Sequence, residues 1–350
     1  MMIITKIYNM ISVGSILKEY LEDNKISQTE FAEMYNLSKK HVNEIINGKT
    51  GISLDTLILI SLVTDNDINV LIHFNEHKKC EDELNDMFKS NKDINKFFEK
   101  FNLKEMEEKK WIKLRHIEDS ATTYMDLKKF FKTNNLDNYF SYVKNNYYFK
   151  EAGEKDLIKT CEWINYCNSK IDLININKYI PENNYKLLEE LKIERCNKFD
   201  KDRLIKLFNK YGIILFIEDT LKGSKVRGCT RVKVDTPVIY MSTYLKNKHS
   251  FYYALYHELS HIMSDYMKLK KQTIIHDDDI ESHADKKALD MMIPNHIYEE
   301  IKNNYRDNSF INDISKNNNI PLSFIYSRLA YEGIISYKSK EYNESVEKIF

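Results

Sequence analysis

Glycine and proline are scarce in this chain, with 8 Gly and 4 Pro in 350 residues. Because these residues mark most turns and interrupt regular elements, their rarity predicts long helical segments. The apolar pattern is helical over most of the chain and changes near residue 213, where three short β-rich runs are separated by Gly, Asp and Pro. These runs are GIILFIED, VRGCTRVKV and PVIYMS. The predicted fold class is therefore mainly α with a small β-sheet (α+β), which we expect to be antiparallel.

The length allows two or three domains, each with a core of its own. Residues 14–74 form short apolar-periodic helices, and residues 83–190 continue as a helical middle region. Residues 200–335 contain the β-rich runs followed by further helices. The polar stretch NEHKKCED, residues 75–82, is the predicted linker after the first domain.

The charge balance excludes a general basic surface for nucleic acid, because 53 Lys and Arg are matched by 53 Asp and Glu. Any DNA contact must come from a local patch. The five cysteines are an odd number without a CxxC pair, which indicates reduced thiols. No run approaches the ~20 apolar residues of a membrane span, and no signal-peptide pattern opens the chain. We expect a soluble cytoplasmic protein with no membrane partner.

A short segment, HELSH at residues 257–261, has the pattern of a metal site. Residues i and i+4 of an α-helix share a face, so His257 and His261 can present two imidazoles to one ion, with Glu258 alongside. Zinc with three protein ligands keeps a position for water, and the adjacent carboxylate can accept the proton of that water. The alternative is a solvent-facing amphipathic helix with two incidental histidines.

A candidate third ligand lies 20 residues beyond His261, in the segment IESHADKKALDMMIP. Glu281 and Asp285 stand at i and i+4 on a predicted helix. In a thermolysin-type zinc peptidase, the first acid completes the ligand triad and the second hydrogen-bonds a ligand histidine. His276 and His283 are rival ligands. We expect His283 to face away from Glu281 and His276 to be solvated in an acidic loop.

Two segments together resemble the ImmA/IrrE family of metallopeptidases. They are PVIYMSTYLKNKHSFYYALYHELSH and IESHADKKALDMMIP, and the resemblance covers about residues 200–335. It implies a thermolysin-like zincin domain at the C-terminal end of the chain, with zinc as the cofactor. The implied functional residues are His257, His261 and Glu281 as zinc ligands and Glu258 as the catalytic acid/base. Two positions depart from the family: Ser260 stands where Gly is usual, and Lys287-Ala288 replaces a Phe-Ala step.

For the reaction, the residues favour a peptide that adds to an exposed strand, for which PVIYMS is the candidate. Glu258 would take a proton from water and pass it to the leaving amine. Four side chains are candidates for stabilising the oxyanion, each with packing or surface solvation as the alternative. They are Tyr252, His283, Tyr326 and Arg328.

Residues 27–60, SQTEFAEMYNLSKKHVNEIINGKTGISLDTLILI, have the spacing of a helix-turn-helix. Asn36 can occupy the left-handed position of the turn, and the inner faces of both helices are apolar. This module resembles the Cro/repressor-type (XRE) DNA-binding domain over residues 14–74. The resemblance implies that Gln28 touches phosphate and that the second helix faces the major groove. The implied contacts on that helix are Lys39, Lys40, His41 and Asn43.

Residues 14–74 contain five lysines and nine acids, so the module is net negative. Attraction to phosphate can come only from the end that carries Lys39 and Lys40, and a homodimer would supply further contacts. The alternative is a helix-turn-helix used for protein docking.

The sequence pattern of the helix-turn-helix occurs a second time in the chain. FAEMYNLSKKHVNEII, residues 31–46, aligns without a gap on ISKNNNIPLSFIYSRL, residues 314–329. We expect the second copy to be a packing element, because Arg328 is the only base on its second helix. The aromatic segment NYFSYVKNNYYF, residues 138–149, favours core or interface packing over a stacking surface for nucleic acid.

Two functions are open on this sequence. The leading hypothesis is a zinc-dependent metallo-endopeptidase that cuts a specific regulatory protein, such as a repressor, and carries its own DNA-binding domain. The alternative is a DNA-binding transcriptional repressor or antitoxin-like regulator whose peptidase fold is sensory or inactive. Glu258 favours the first, because a sensory or structural zinc site has no need for a carboxylate beside its ligand.

Overall fold

The computed structural model describes residues 11–146, 154–171, 176–271 and 278–350. Within these ranges the chain is mostly helical with one three-stranded sheet. This confirms the prediction of a mainly α protein with a small β-sheet. The chain divides into two compact units, Met1–Asn134 and Asn135–Phe350. The predicted middle region, 83–190, is therefore shared between the units and does not form a domain by itself.

The first unit opens with the helices of the helix-turn-helix module. Four of the five helices have a serine as N-terminal cap, at positions 12, 27, 38 and 53, and each serine accepts the backbone N–H three residues further on. The fifth is capped by Asp67. Phe31, Val42 and Ile60 are fully buried between the helices. The helices are α1 (Val13–Asp23), α2 (Gln28–Met34), α3 (Lys39–Ile46), α4 (Leu54–Thr64) and α5 (Ile68–Met87).

Helix α5 runs straight through residues 75–82, so the predicted linker is wrong. Asn75 is buried and donates to the carbonyl of Ile52 at 3.3 Å, and Cys80 is also buried. The stretch is polar because its outer face carries ion pairs one turn apart, and it contains no Gly or Pro that would end a helix. The first unit is completed by α6 (Asn91–Phe98), α7 (Leu103–Glu108) and α8 (Ser120–Phe131), of which α8 packs on α5.

The second unit contains the sheet. Helices α9 (Leu136–Asn146), α10 (Glu154–Ile171), α11 (Asn184–Glu194) and α12 (Lys201–Lys210) precede it. The strands are β1 (Ile214–Glu218), β2 (Gly228–Lys233) and β3 (Thr236–Ser242), in the spatial order β1-β3-β2.

The prediction of an antiparallel sheet is wrong for one of the two strand pairs. Strands β2 and β3 form an antiparallel hairpin, whereas β1 and β3 are parallel. Consecutive strands do run in opposite directions, but β3 inserts between the other two and so lies parallel to β1. The PVIYMS segment is thus a buried central strand with both edges paired, and it cannot be the exposed strand expected to receive a peptide.

Helices form the rest of the second unit: α13 (Lys248–Lys270), α14 (Asp278–Met292), α15 (Asn295–Asn304), α16 (Asn308–Asn317), α17 (Leu322–Tyr331) and α18 (Lys340–Ser345). Helix α13 packs against β2, β3 and α14, and it buries Leu255, Leu259 and Ile262 in the main core. Within the described residues, no helix combines the length and apolarity needed to cross a membrane.

Two buried arginines cap the C-terminal end of α14, which has no basic residue in its own last turn. The Arg195 Nη1 donates to the carbonyls of Met291 and Met292 at 3.0 and 2.9 Å. The Arg328 Nη1 donates to the carbonyl of Ile293 at 2.8 Å. The final carbonyls of a helix have no intrahelical donors and carry partial negative charge, so these cations hold α14 in place.

Candidate metal centre and nucleic-acid interface

The HELSH segment lies in the middle of α13, and both histidines point to the same side. The Nε2 atoms of His257 and His261 are 3.2 Å apart. Glu281 approaches from α14, with its carboxylate oxygens 3.3 Å from the His257 Nε2 and 3.6 Å from the His261 Nε2. One ligand atom from each of the three residues lies within 4.8 Å of the others. Two imidazole nitrogens and a carboxylate at this spacing fit the donor set of a single zinc-like ion.

The ring of His257 contacts Asp285, the second of the two acids four residues apart on α14. The Asp285 Oδ1 lies 2.8 Å from the His257 Nδ1 and also accepts a hydrogen bond from the Tyr253 hydroxyl at 2.7 Å. This contact directs Nε2 toward Glu281. Burial lowers the pKa of His257, but its hydrogen bonds with Asp285 and Glu281 outweigh burial and raise the pKa to about 10. The surrounding acids therefore favour positive charge at this point.

Glu258, on α13, is buried against strand β2. Its Oε2 accepts a hydrogen bond from the Thr230 hydroxyl at 2.7 Å. A Cβ at Gly228 would come within 3.0 Å of the Glu258 Cγ, so glycine allows the strand to approach this closely. Burial raises the pKa of Glu258, and the neighbouring His257 opposes this rise. The carboxylate is thus buried within electrostatic range of His257, His261 and Glu281.

Sequence reasoning missed two partners of the site, Thr230 and Asp265. The Asp265 Oδ2 lies 3.8 Å from the His261 Nδ1. Asp265 follows His261 by four residues on α13, so helical spacing could have found it. Thr230 comes from a strand 28 residues before Glu258, and no local pattern connects them.

The structure describes one of the two rival histidines and both departures from the family pattern. His283 is exposed on α14 and lies outside the donor cluster, while His276 falls outside the described residues. The hydroxyl of Ser260 donates to the carbonyl of His257 at 2.8 Å, so serine is accommodated without a loss of hydrogen bonding. Lys287 donates to the Ser264 hydroxyl at 2.7 Å and does not touch the ligands.

Three of the four oxyanion candidates have other roles. Tyr252 and Tyr326 are in the main hydrophobic core, at 1% and 8% exposure. The Arg328 guanidinium caps α14 and lies 3.7 Å from the centre of the Tyr298 ring. Core packing and helix capping account for Tyr252, Tyr326 and Arg328, and His283 is exposed to solvent.

The predicted DNA-contacting residues lie at the surface of the helix-turn-helix module. Asn36 occupies the left-handed position of the turn, with φ +53°, as predicted. Helix α3 buries Val42 and Ile45 against the module. Of the predicted contacts, Lys39, Lys40 and Asn43 are exposed, and His41 and Gln28 are partly exposed. This outer face is free to enter a groove of DNA.

Comparison with known proteins identifies this module. The helix-turn-helix family matches residues 17–71, which supports DNA binding and transcriptional regulation as the role of this region. No curated protein and no solved structure matches the chain.

Proposed function

We propose that the second unit is a zinc-dependent metallo-endopeptidase that cuts a specific regulatory protein such as a repressor. The helix-turn-helix of the first unit would couple this cleavage to transcription. The observation that carries the proposal is the position of Glu258, a buried carboxylate beside the donors His257, His261 and Glu281. The resemblance to ImmA/IrrE metallopeptidases over residues 200–335 supports the same reading.

His257, His261 and Glu281 would hold the zinc ion, and Asp285 would keep the His257 ring in its ligating orientation. When bound, zinc supplies Lewis-acid polarisation of water and of the scissile carbonyl. Glu258 accepts a proton from the attacking water and returns it to the leaving amine. Its hydrogen bond with Thr230 fixes the carboxylate for both transfers.

The substrate strand is best received by β2. This strand is at an edge of the sheet and reaches the site directly, because the Thr230 hydroxyl donates to the Glu258 carboxylate. A peptide that pairs with the outer edge of β2 would place its backbone beside the Glu258 carboxylate. This replaces the central strand, PVIYMS, as the candidate for peptide binding.

A second candidate function is favoured by the helix-turn-helix match at residues 17–71. In this case the chain is a transcriptional repressor or antitoxin-like regulator, and its metal site senses a ligand or partner without cleavage. The two functions differ in what Glu258 does, so a change at this residue separates them.

The metal site is tested by elemental mass spectrometry of the purified full chain. We expect close to one zinc per chain in the wild type, a large loss in Glu281→Ala, and no loss in His283→Ala. The last variant is a matched control, because His283 is exposed on the same helix. A wild-type protein that neither contains nor takes up zinc would refute the metal site.

The peptidase reaction is tested by comparing new protein N-termini in cells that express the wild type or Glu258→Gln. Loss of a general acid/base reduces the rate by about 10²- to 10⁴-fold, so termini produced by the wild type should disappear in the variant. Zinc content should be equal in both proteins. Identical termini in the two samples would contradict the role of Glu258, and their absence from both would favour the regulatory function.

A further inference from the structure

A cavity of about 460 Å³ opens beside the first half of α13. Its lining contains none of the three metal donors, although Tyr253 and Asp285 form part of its wall. The volume is in the range of small-molecule binding sites. We call this space the α13 cavity.

The walls of the α13 cavity are largely apolar and aromatic. Helix α14 contributes Leu289, α17 contributes Phe324 and Tyr331, and the chain beyond α17 contributes Tyr337 and Tyr342. Such rings bury the flat or branched body of an apolar ligand and offer edges and faces for ring contacts.

The first turn of α13 forms a polar end of the cavity. Asn247 is the N-cap and makes no capping hydrogen bond through its side chain. The amide N–H of Lys248 donates to Glu347, and that of Phe251 donates to Asn247. His249 and Ser250 line the cavity, and their amide N–H groups have no backbone acceptor among the described residues. Free amides at the start of a 23-residue helix favour a negatively charged group.

His249 is a second and independent indication of a ligand. His249 lines the cavity and is 7% exposed, and its Nδ1 makes no hydrogen bond to another described residue. Burial lowers the pKa of His249 to about 4, so the ring is neutral at neutral pH. A neutral imidazole enclosed in this way can donate one hydrogen bond to a bound oxygen.

The charged residues of the lining also favour an anion. Arg227 is exposed in the wall, and its guanidinium forms no ion pair with a described residue. The second arginine, Arg328, is engaged in capping α14. Asp285 is the acidic residue of the lining, and its carboxylate is engaged by Tyr253 and His257.

We propose that the α13 cavity binds a carboxylate carried on an aromatic or aliphatic body. The carboxylate is received by the start of α13, His249 and Arg227, and the body packs against the ring-lined wall. The source of this chemistry is either a small free acid or the C-terminal residue of a polypeptide. The inference goes beyond the proposed peptidase, because binding here requires none of the three metal donors.

The test is calorimetric titration of the full chain with 3-phenylpropionate and with its uncharged amide, 3-phenylpropanamide. We expect the acid to bind about tenfold more tightly than the amide, because it gains charge-assisted hydrogen bonds. Arg227→Gln should remove most of this difference. Lys225→Gln, a matched change of an exposed cation two residues earlier that does not line the cavity, should preserve it. Equal affinity for acid and amide, an unchanged preference in Arg227→Gln, or no binding of either probe would overturn the proposal.

A second titration distinguishes the sources. It compares 3-phenylpropionate with a short acetylated peptide that ends in phenylalanine with a free carboxylate. Tighter binding of the peptide assigns the cavity to a polypeptide C-terminus, and tighter binding of the small acid assigns it to a free metabolite. Either result supports the cavity as a carboxylate site. Zinc content, measured in parallel, reports separately on the proposed peptidase.

Discussion

Two helix-turn-helix corners, one in each unit, share a backbone conformation. The turn between α2 and α3 has Asn36 at φ +53°, and the turn between α16 and α17 has Asn319 at φ +50°. In both, the residue after this asparagine donates its N–H to the carbonyl five residues back, at 2.8 and 3.0 Å. The gapless alignment of residues 31–46 on 314–329 thus corresponds to a shared local structure.

The second helices of the two corners have opposite surroundings. Helix α3 exposes most of its outer face, whereas α17 is buried on nearly every side. The positions equivalent to Lys39, Lys40, His41 and Asn43 hold Leu322, Ser323, Phe324 and Tyr326, the last three of which are buried. The comparison teaches that local sequence specifies the corner, while the faces of the second helix decide whether it can meet DNA or must join a core.

The largest expected effect is on the free energy of unfolding, from a change in the buried corner formed by α16 and α17. Arg328→Ala should lower the free energy of unfolding by about 3 kcal/mol, because it leaves carbonyls at the end of α14 without donors. Chemical denaturation of the full chain measures this change. Arg306→Ala, an exposed arginine in the same unit, is the control and should have little effect. A loss below about 1 kcal/mol would show that α14 does not depend on this cap.

An intermediate effect is expected on DNA affinity, from changes in the exposed corner formed by α2 and α3. Changing Lys39 and Lys40 together to Ala should weaken binding to the chain's own upstream DNA about tenfold, with little change in stability. The slope of log affinity against log salt should decrease by about 2, because two phosphate contacts are lost.

The control for that experiment changes Lys89 and Lys92 to Ala, two exposed lysines in the same unit but beyond residues 17–71. It removes the same charge and should preserve the affinity. If the Lys39 and Lys40 variant binds as tightly as wild type, the DNA contact lies elsewhere or the module docks on protein.

The smallest expected effect is common to both corners. Asn36→Ala and Asn319→Ala should each lower the free energy of unfolding by about 1 kcal/mol. Alanine has a Cβ but lacks the polar side-chain group with which asparagine favours the left-handed conformation. The corresponding glycine variants should stay within a few tenths of a kcal/mol of wild type. Thermal and chemical unfolding measure both pairs. A loss at one corner alone would show that the two turns are not equivalent.

Much of the candidate site follows from helical spacing. The relative positions of His257 and His261, and of Glu281 and Asp285, depend on the period of one helix at a time, whereas the packing of α13 on α14 brings His257, His261 and Glu281 together. The partner Thr230 and the capping residue Arg195 could not be found in this way. Each meets its partner across many intervening residues, and no local pattern relates them.

The sequence by itself determined the elements whose causes are local. Sparse Gly and Pro, serine caps, an asparagine in a left-handed turn and histidines four apart act within a few residues, so their geometry is the same wherever the segment lies. Only the tertiary structure decided the order of the strands and the burial of α17. These depend on which faces meet across long sequence separations, where burial of apolar surface outweighs local preference.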